Sequence, residues 1–525
     1  MRFITQKIKF VPMKELLCSN NHIKGIVIMR KLLLVFTLLY PLILNAQTEE
    51  ERKWARMHYM DKKYTESFNE FCHLSKFLNP RDLFILAQHY QYGQGTERSL
   101  NQAIKYYKLA ADRGDDLSQS ELCEILIDGK MIDSEQQKAD LYKYSRMFGT
   151  NLEYTNSTNS ATDKTRHALS LCYKNGWGTK KNQKLADVWL AFAAYNDSMD
   201  AQDELCEKLG IDGNYNSEEE ELALASTYFK YLYETILPYV QKDHSIEMSF
   251  FRINYLISKQ TPTDILESLK EVITLYENPK LCNEGKAVMF DMIQQVAKYN
   301  TEFKNKYAAD AEKYELISDE SKEAWQHRQL TKVVWKVDVM LNNHIKPIGI
   351  SNGHEWVDLG LPSGTKWATC NIDAITPYDS GSMFAWAEIK QKRTFNPKNY
   401  IGGTFLLMDD DNDTAHQLYG SNWHVPSCEN WRELFWYCDI EYDRQRNVII
   451  AKSPNNQQLS IPLVQNSEDD GVIYWTNTCV LGDVMNPEEG SAISLLLDTD
   501  PFWTLTYADK WRGCPIRPIY TDNHY

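Results

Sequence analysis

The chain has 525 residues with 57 basic against 72 acidic side chains, a formal net charge of −15. That length accommodates several domains of ordinary size, and the acidic balance repels phosphate backbones and anionic lipid headgroups, which sets nucleic acid aside as a partner. Hydrophobic residues at 43% and charged residues at 25% indicate globular protein, while 31 Tyr and 14 Trp are enough both to fill cores and to leave stacking surfaces.

Residues 1–28 are polar and basic without a pattern and read as an upstream start assigned in place of Met29. Met29 is followed by Arg30 and Lys31, an apolar run of 13 residues from Leu32 to Leu44, and Asn45-Ala46-Gln47. A charged, an apolar and a cleavable segment in that order predict a secretory signal peptide over 29–46. The run is shorter than the roughly 20 residues that cross a bilayer, so no transmembrane anchor is expected in the mature chain. No Cys follows it to carry a lipid. The expected destination is the periplasm or the cell surface and beyond.

Residues 47–215 carry an internal repeat. Tyr90, Gly93, Gly95, Ala103, Tyr106, Ala110 and Ala111 recur as Tyr173, Gly176, Gly178, Ala186, Trp189, Ala193 and Ala194, each at an offset of 83 residues. A weaker middle copy places Gly129, Ala139 and Tyr142 at an offset of 36 from Gly93, Ala103 and Tyr106. The extra residues between the middle and last copies fall in the Ser, Thr and Asn stretch from Thr150 to Thr162, a loop by composition. A helix-turn-helix period with paired Gly and paired Ala resembles the Sel-1-like repeat (SLR), a relative of the tetratricopeptide repeat. The resemblance implies an α-solenoid with a protein-binding groove. Gly ends one helix and turns the chain, Ala lets helices approach, and the aromatic residues fill the space between pairs.

From 216 to 341 the repeat fades but helical periodicity continues as an extension or cap. It predicts helices over 218–237, 245–258, 262–277, 281–299 and 319–341. Asn342 to Asn352, with Pro347 and Gly349, is expected to be a linker. The module at 353–525 turns to short strands, predicted at 357–359, 448–451, 459–463, 472–475, 492–497 and 516–520. One clear helix is predicted from Ser427 to Cys438, with Ser427 as its cap. The predicted class is therefore a multidomain protein, an α-solenoid followed by an α+β domain.

The module's motifs are Val357-Asp358-Leu359-Gly360-Leu361-Pro362-Ser363-Gly364-Thr365-Lys366-Trp367-Ala368, Phe384-Ala385-Trp386-Ala387-Glu388, Gly420-Ser421-Asn422-Trp423-His424-Val425-Pro426-Ser427, Tyr474-Trp475-Thr476-Asn477 and Cys514-Pro515-Ile516-Arg517-Pro518-Ile519. In that order they resemble the Fibrobacter succinogenes major paralogous domain (FISUMP), a secreted module related to the C-type-lectin-like fold. The resemblance implies an extracytoplasmic recognition module. It also implies cysteines at Cys370 and Cys438, which are the candidate disulfide pair, with free buried thiols as the alternative. Members more usually carry Trp-Arg-Met-Pro-Thr where this chain has Trp423-His424-Val425-Pro426-Ser427, so no family role is carried over to those positions.

Catalytic chemistry finds little support. No two cysteines form a CxxC pair, and G-x-S-x-G, H-E-x-x-H and Walker sequences are absent. Asp409 to Asp413 fails as a calcium loop, because an EF-hand frame would need Gly and Glu where Thr414 and Gly420 stand; no metal or other cofactor is expected. Asp413 is expected to cap the turn before Trp423. His416, His424, Cys428 and Glu429 are neighbours in sequence with nothing to fix their geometry. The distant fold is shared with formylglycine-generating enzymes, but a shared fold does not transfer activity. Aromatic faces next to polar groups suit sugars. Trp386 with Glu388, Asn477 beside Trp475, and Trp503 and Trp511 flanking Asp509 and Arg512 are the candidate ligand-binding residues. The function expected is an exported, non-catalytic binding protein whose module recognises a glycan or cell-surface ligand while the repeats scaffold protein contacts. The alternative is an adaptor for an envelope or extracellular protein working through the repeat groove.

Overall fold

The computed structural model describes residues 51–74, 78–113, 115–128, 133–150, 160–259, 261–297, 306, 311–314, 316–342, 348–402, 408, 410–463, 472–479, 491–497 and 503–521. The segments expected as upstream start and signal peptide lie outside these residues, as do 151–159 of the expected loop, 343–347 of the expected linker and Asp409. After a helical stretch at 51–60 come α1 (Tyr64–His73), α2 (Pro80–Tyr92), α3 (Leu100–Asp112), α4 (Asp116–Asp128), α5 (Glu135–Gly149), α6 (Ser160–Asn175), α7 (Gln183–Tyr195) and α8 (Met199–Leu209). Each packs on the next, as a solenoid requires.

Local chemistry sets their ends. Asn79, Ser99 and Asn182 accept from backbone N–H groups in the first turns of α2, α3 and α7, and Ser134 forms a capping box with Gln137 ahead of α5. The second Gly of the repeat is needed for close approach as well as for its left-handed backbone. A Cβ on Gly95 would collide with the carbonyl of Tyr64, and one on Gly178 with that of Lys138, both in the preceding helices. Ala103, Ala110, Ala111, Ala193 and Ala194 are fully buried between helices.

The extension continues as α9 (Glu218–Val240), α10 (Ile246–Ser258), α11 (Pro262–Tyr276), α12 (Asn283–Ala297), α13 (Ala311–Tyr314) and α14 (Asp319–Leu341). Four glutamates follow the Ser217 cap of α9, where negative charge suits the helix dipole. Helix α14 folds back, packing against α10 and α12 and also against α7 of the last repeat.

The C-terminal part is β-rich. A five-stranded sheet has the order β1-β2-β3-β11-β4, made of β1 (Ile348–Ser351), β2 (His354–Val357), β3 (Lys366–Ala368), β11 (Ile519–Tyr520) and β4 (Trp423–His424). Two antiparallel three-stranded sheets complete it. One is β5 (Asp439–Asp443), β6 (Val448–Lys452) and β7 (Gln458–Pro462); the other is β8 (Val472–Cys479), β9 (Ser491–Leu497) and β10 (Trp503–Asp509). Helices α15 (Thr414–Tyr419) and α16 (Cys428–Tyr437) lie between strands in the chain. The last sheet separates two cores by strand alternation: Val472, Tyr474, Leu495 and Leu497 join one, and Ile473, Trp475, Ala492 and Ala508 the other.

Several local outcomes differ from the sequence reading. Ile348–Ser351, in the segment expected as linker, is a strand paired with β2 in the register Ile348↔Val357 to Ser351↔His354. Gly349 lies under the Trp356 ring, where a Cβ would collide with the indole, so this glycine permits packing instead of simply stopping a helix. The Cys370–Cys438 disulfide is not formed, and both thiols are free. Cys438 is the C-cap of α16 in the first core, whereas Cys370 follows β3 beside Thr369.

The turn Leu361-Pro362-Ser363-Gly364 is tied to α16 by Glu433, whose carboxylate accepts from the Ser363 N–H at 2.7 Å and hydroxyl at 2.6 Å. Burial pushes the Glu433 carboxyl up to about 7, against the pull of the Ser363 hydrogen bonds and Arg146. A raised folded-state value means that its contribution to stability is fully present below the ordinary carboxylate range and lost as pH rises through about 7. Glu433→Gln is expected to remove about 2 kcal/mol of that pH dependence. Denaturant melts at about pH 5 and about pH 8 check it; parallel pH profiles for the two proteins would count against the assignment.

Candidate functional site

The repeats, the returning helix and the β-rich module meet around one carboxylate. Asp338 of α14 is fully buried and accepts from the Tyr173 hydroxyl at 2.7 Å, the Trp189 Nε1–H at 2.8 Å and the Arg146 Nε–H at 3.3 Å. Arg146 reaches onward into the module, donating to the carbonyls of Leu361 at 2.7 Å, Gly360 at 2.8 Å and Pro362 at 3.3 Å. Trp335 Nε1–H donates to Gly360 as well, at 2.9 Å, and the Tyr437 hydroxyl donates to the Thr150 carbonyl. Asn342, expected as the first linker residue, is held by Tyr142 and Tyr173 at 2.8 and 3.1 Å. Burial and the neighbouring Asp338 push the Tyr173 hydroxyl far up, so it remains a neutral donor.

This joint changes the use of the repeat. In the first copy Tyr90 and Tyr106 stack on one another with ring centroids 5.6 Å apart. Their counterparts Tyr173 and Trp189 are instead covered by the chain's own α14. A partner of the last repeat must therefore use another face. One cleft of about 420 Å³ on that repeat is lined by Lys174, Asp187, Glu204 and Lys208, which already pair among themselves. A second, of about 440 Å³, lies between helices and module, lined by Tyr239, Asp243, Lys336, Asp439 and Gln457.

The candidate ligand-binding residues do not form one site. Trp386 is fully buried, its Nε1–H donating to the Thr476 carbonyl at 2.9 Å and the Lys510 ammonium lying 5.2 Å from its ring, so it offers no open face. Glu388 is buried too. Its carboxylate accepts from Ile401 N–H at 2.6 Å and Gly402 N–H at 3.2 Å and pairs with Lys392 at 2.5 Å, which pins the loop that follows Trp386. The Asn477 backbone bonds Pro426 and Met408, and its side chain accepts from Thr478 at 2.9 Å.

Trp503 stacks on Phe435 with centroids 5.2 Å apart at one end of β10, and Asp509 is exposed at the other end, about 20 Å away at strand rise. The Asp509 carbonyl accepts from Arg512 N–H at 2.9 Å, closing a turn that carries half-buried Trp511 and Arg512. Tyr507, which shares the face of Asp509 and is 67% exposed, was not singled out by the sequence. Strand alternation through Trp503-Thr504-Leu505-Thr506-Tyr507 is the signal that finds it. Of the expected surface, Asp509, Trp511 and Arg512 stay within one turn, and Tyr507 adds an exposed ring on the strand that leads into it.

Asp413 caps α15, as expected of a capping residue, and also reaches β4. Its Oδ1 accepts from Ala415, His416 and Val425 N–H groups at 2.9 to 3.1 Å, and its Oδ2 from Val425 at 3.0 Å. That clasp brings the His416 and His424 rings to a centroid distance of 5.5 Å. Their sequence neighbours go elsewhere, Cys428 to Thr476 and Glu429 to Arg432. Asp410 joins the two histidines, with one ligand atom from each of the three within 4.8 Å of the others. The EF-hand spacing that argued against a metal tests only for oxygen ligands within the loop and is blind to histidines further along.

With this geometry in place, the comparisons fit the helical part. Residues 81–115 and 166–198 match the Sel1 repeat family, so the N-terminal helical region carries Sel1 repeats over those segments. Solved structures similar to the chain include a Sel1 repeat protein from Oxalobacter formigenes, 17% identical, covering 54% of this chain and 98% of that one with a TM-score of 0.24. Another is a protective antigen present in uropathogenic Escherichia coli strains displaying an SLR fold, 16% identical, covering 56% of this chain and 64% of that one with a TM-score of 0.25. No curated protein matches the chain. The repeat match supports a protein-interaction or scaffold role. Among the described residues no helix is long and apolar enough to cross a membrane.

Proposed function

We propose that this is an exported, non-catalytic binding protein in which Sel1 repeats form a protein-interaction scaffold and the β-rich module, lectin-like as its FISUMP resemblance implies, recognises a glycan or other cell-surface ligand. The turn after β10 supports glycan recognition. Exposed Tyr507 and Asp509 share one face of β10, and half-buried Trp511 and Arg512 follow in the turn, so aromatic and charged side chains are gathered within six residues. Sugars use that pairing, since C–H faces stack on rings while charged groups take hydroxyls.

A stacking contact contributes about 0.5–1.5 kcal/mol beyond burial, so Trp511→Ala in the full chain is expected to weaken glycan binding several-fold. The melting temperature should stay close to that of the unaltered protein, because Trp511 is not a core residue. A glycan array run beside thermal melts checks both. Unchanged retention after the substitution would remove this turn from the site. The repeat match favours a second reading, an adaptor for an envelope protein. That reading takes over if the full chain retains no glycan yet binds one envelope protein through the repeats.

A further inference from the structure

We propose that Asp410, His416 and His424 form a binding site for one divalent transition-metal ion of the zinc class. Two imidazoles and a carboxylate are the donor set such ions prefer, whereas calcium and magnesium select six or more oxygens. The three side chains come from the turn before α15, from α15 itself and from β4, with donor atoms within 4.8 Å of one another. His416 Nδ1 is buried without a hydrogen-bond partner and lies 3.8 Å from the Asp410 carboxylate. A buried ring nitrogen left without a bond is costly, and a shared cation would satisfy it and the carboxylate together.

Support behind the ligands is already built. Asp413, fixed by the N–H groups of Ala415, His416 and Val425, places Oδ2 3.6 Å from His424 Nδ1. Metal-bound histidines characteristically give their second nitrogen to such a carboxylate, which orients the ring and leaves Nε2 for the ion. Exposed Asp410 sets the site at the surface. Three protein ligands leave a fourth tetrahedral position for water or for an atom of a bound molecule. The ion would clamp α15 to β4 and to the preceding turn.

The test is calorimetric titration of the full chain with Zn²⁺, paired with the visible spectrum of the Co²⁺ form. One ion per chain is expected, with tetrahedral cobalt bands and no thiolate-to-cobalt charge transfer, which separates this site from the exposed Cys72 and Cys282. Affinity should fall at least ~10-fold in His416→Ala and in His424→Ala. Asp410→Asn alters only an exposed turn residue and should weaken binding in a chain that still folds, whatever the histidine variants do. Absence of uptake, uptake unchanged in Asp410→Asn and His416→Ala, or a thiolate band would each overturn the proposal.

Discussion

Asp338→Ala is expected to destabilise the protein by about 3–5 kcal/mol and to loosen the β-rich module from the repeats. The substitution leaves the Arg146 guanidinium buried without its counter-charge, and it strips the acceptor from the Tyr173 hydroxyl and the Trp189 indole. Each buried donor left unmade adds to the loss. Asp338→Asn keeps one carbonyl oxygen and should lie between the two. Removing both charges with Arg146→Met and Asp338→Leu should recover part of the loss, since much of the single-variant cost is the stranded charge. Denaturant melts measure the stability, and amide exchange at Gly360, Leu361 and Ser363 reports the joint. A loss under about 1 kcal/mol with unchanged exchange would mean that this pair does not hold the halves together.

Arg517→Met is expected to cost about 4 kcal/mol, with the damage confined to the module. The side chain is fully buried, and its donors go to Asn371 Oδ1 at 2.6 Å and to the carbonyls of Ala368 at 3.1 Å, Thr369 at 2.7 Å and Ser460 at 2.9 Å. It thereby staples the end of β3 to β7, two different sheets. Burial lowers its pKa from the ordinary arginine value, yet a guanidinium remains charged at neutral pH. Methionine fills similar space but leaves four acceptors unmade. Arg517→Lys keeps the charge without the planar fork and should recover little. Melts followed by tryptophan fluorescence decide it, and a loss within about 1 kcal/mol would contradict this role.

The helical half was largely legible because its periodicity and caps are local. Ser217, Ser318 and Ser427 each accept a backbone N–H at the start of the helix expected there, and Asp319–Leu341 has the bounds that its pattern predicts. Strands with long apolar runs, such as Val448–Lys452 and Ser491–Leu497, were legible for the same reason. Lys366–Ala368 and Trp423–His424 were not, because two or three residues carry no period and exist through their partners in β11.

The candidate site shows the limits more sharply. Glu388 beside Trp386 suggests an exposed pair, but the interior supplies backbone N–H groups and Lys392 for the carboxylate, and small Ala385 and Ala387 flank the indole as it enters the core. Asp338 is the one acid in a mostly apolar stretch of α14 that also holds Lys336, and its partners at 146, 173 and 189 are more than a hundred residues away. Nothing local announces such a contact. The His416 and His424 pair was visible as neighbours, but its geometry depends on Asp413 bonding Val425 across the turn.

Joined through Arg146 and Asp338, repeats and module act as one body, so that a surface on the module is presented in a fixed orientation by the scaffold. The most direct measurement is the distance distribution between spin labels on unnatural side chains at Lys105 of α3 and Arg444 in the turn after β5, both exposed and away from the joint. A single narrow distance is predicted for the full chain, broadening in Asp338→Ala. A broad distribution in the unaltered protein would mean that the repeats and the module move independently.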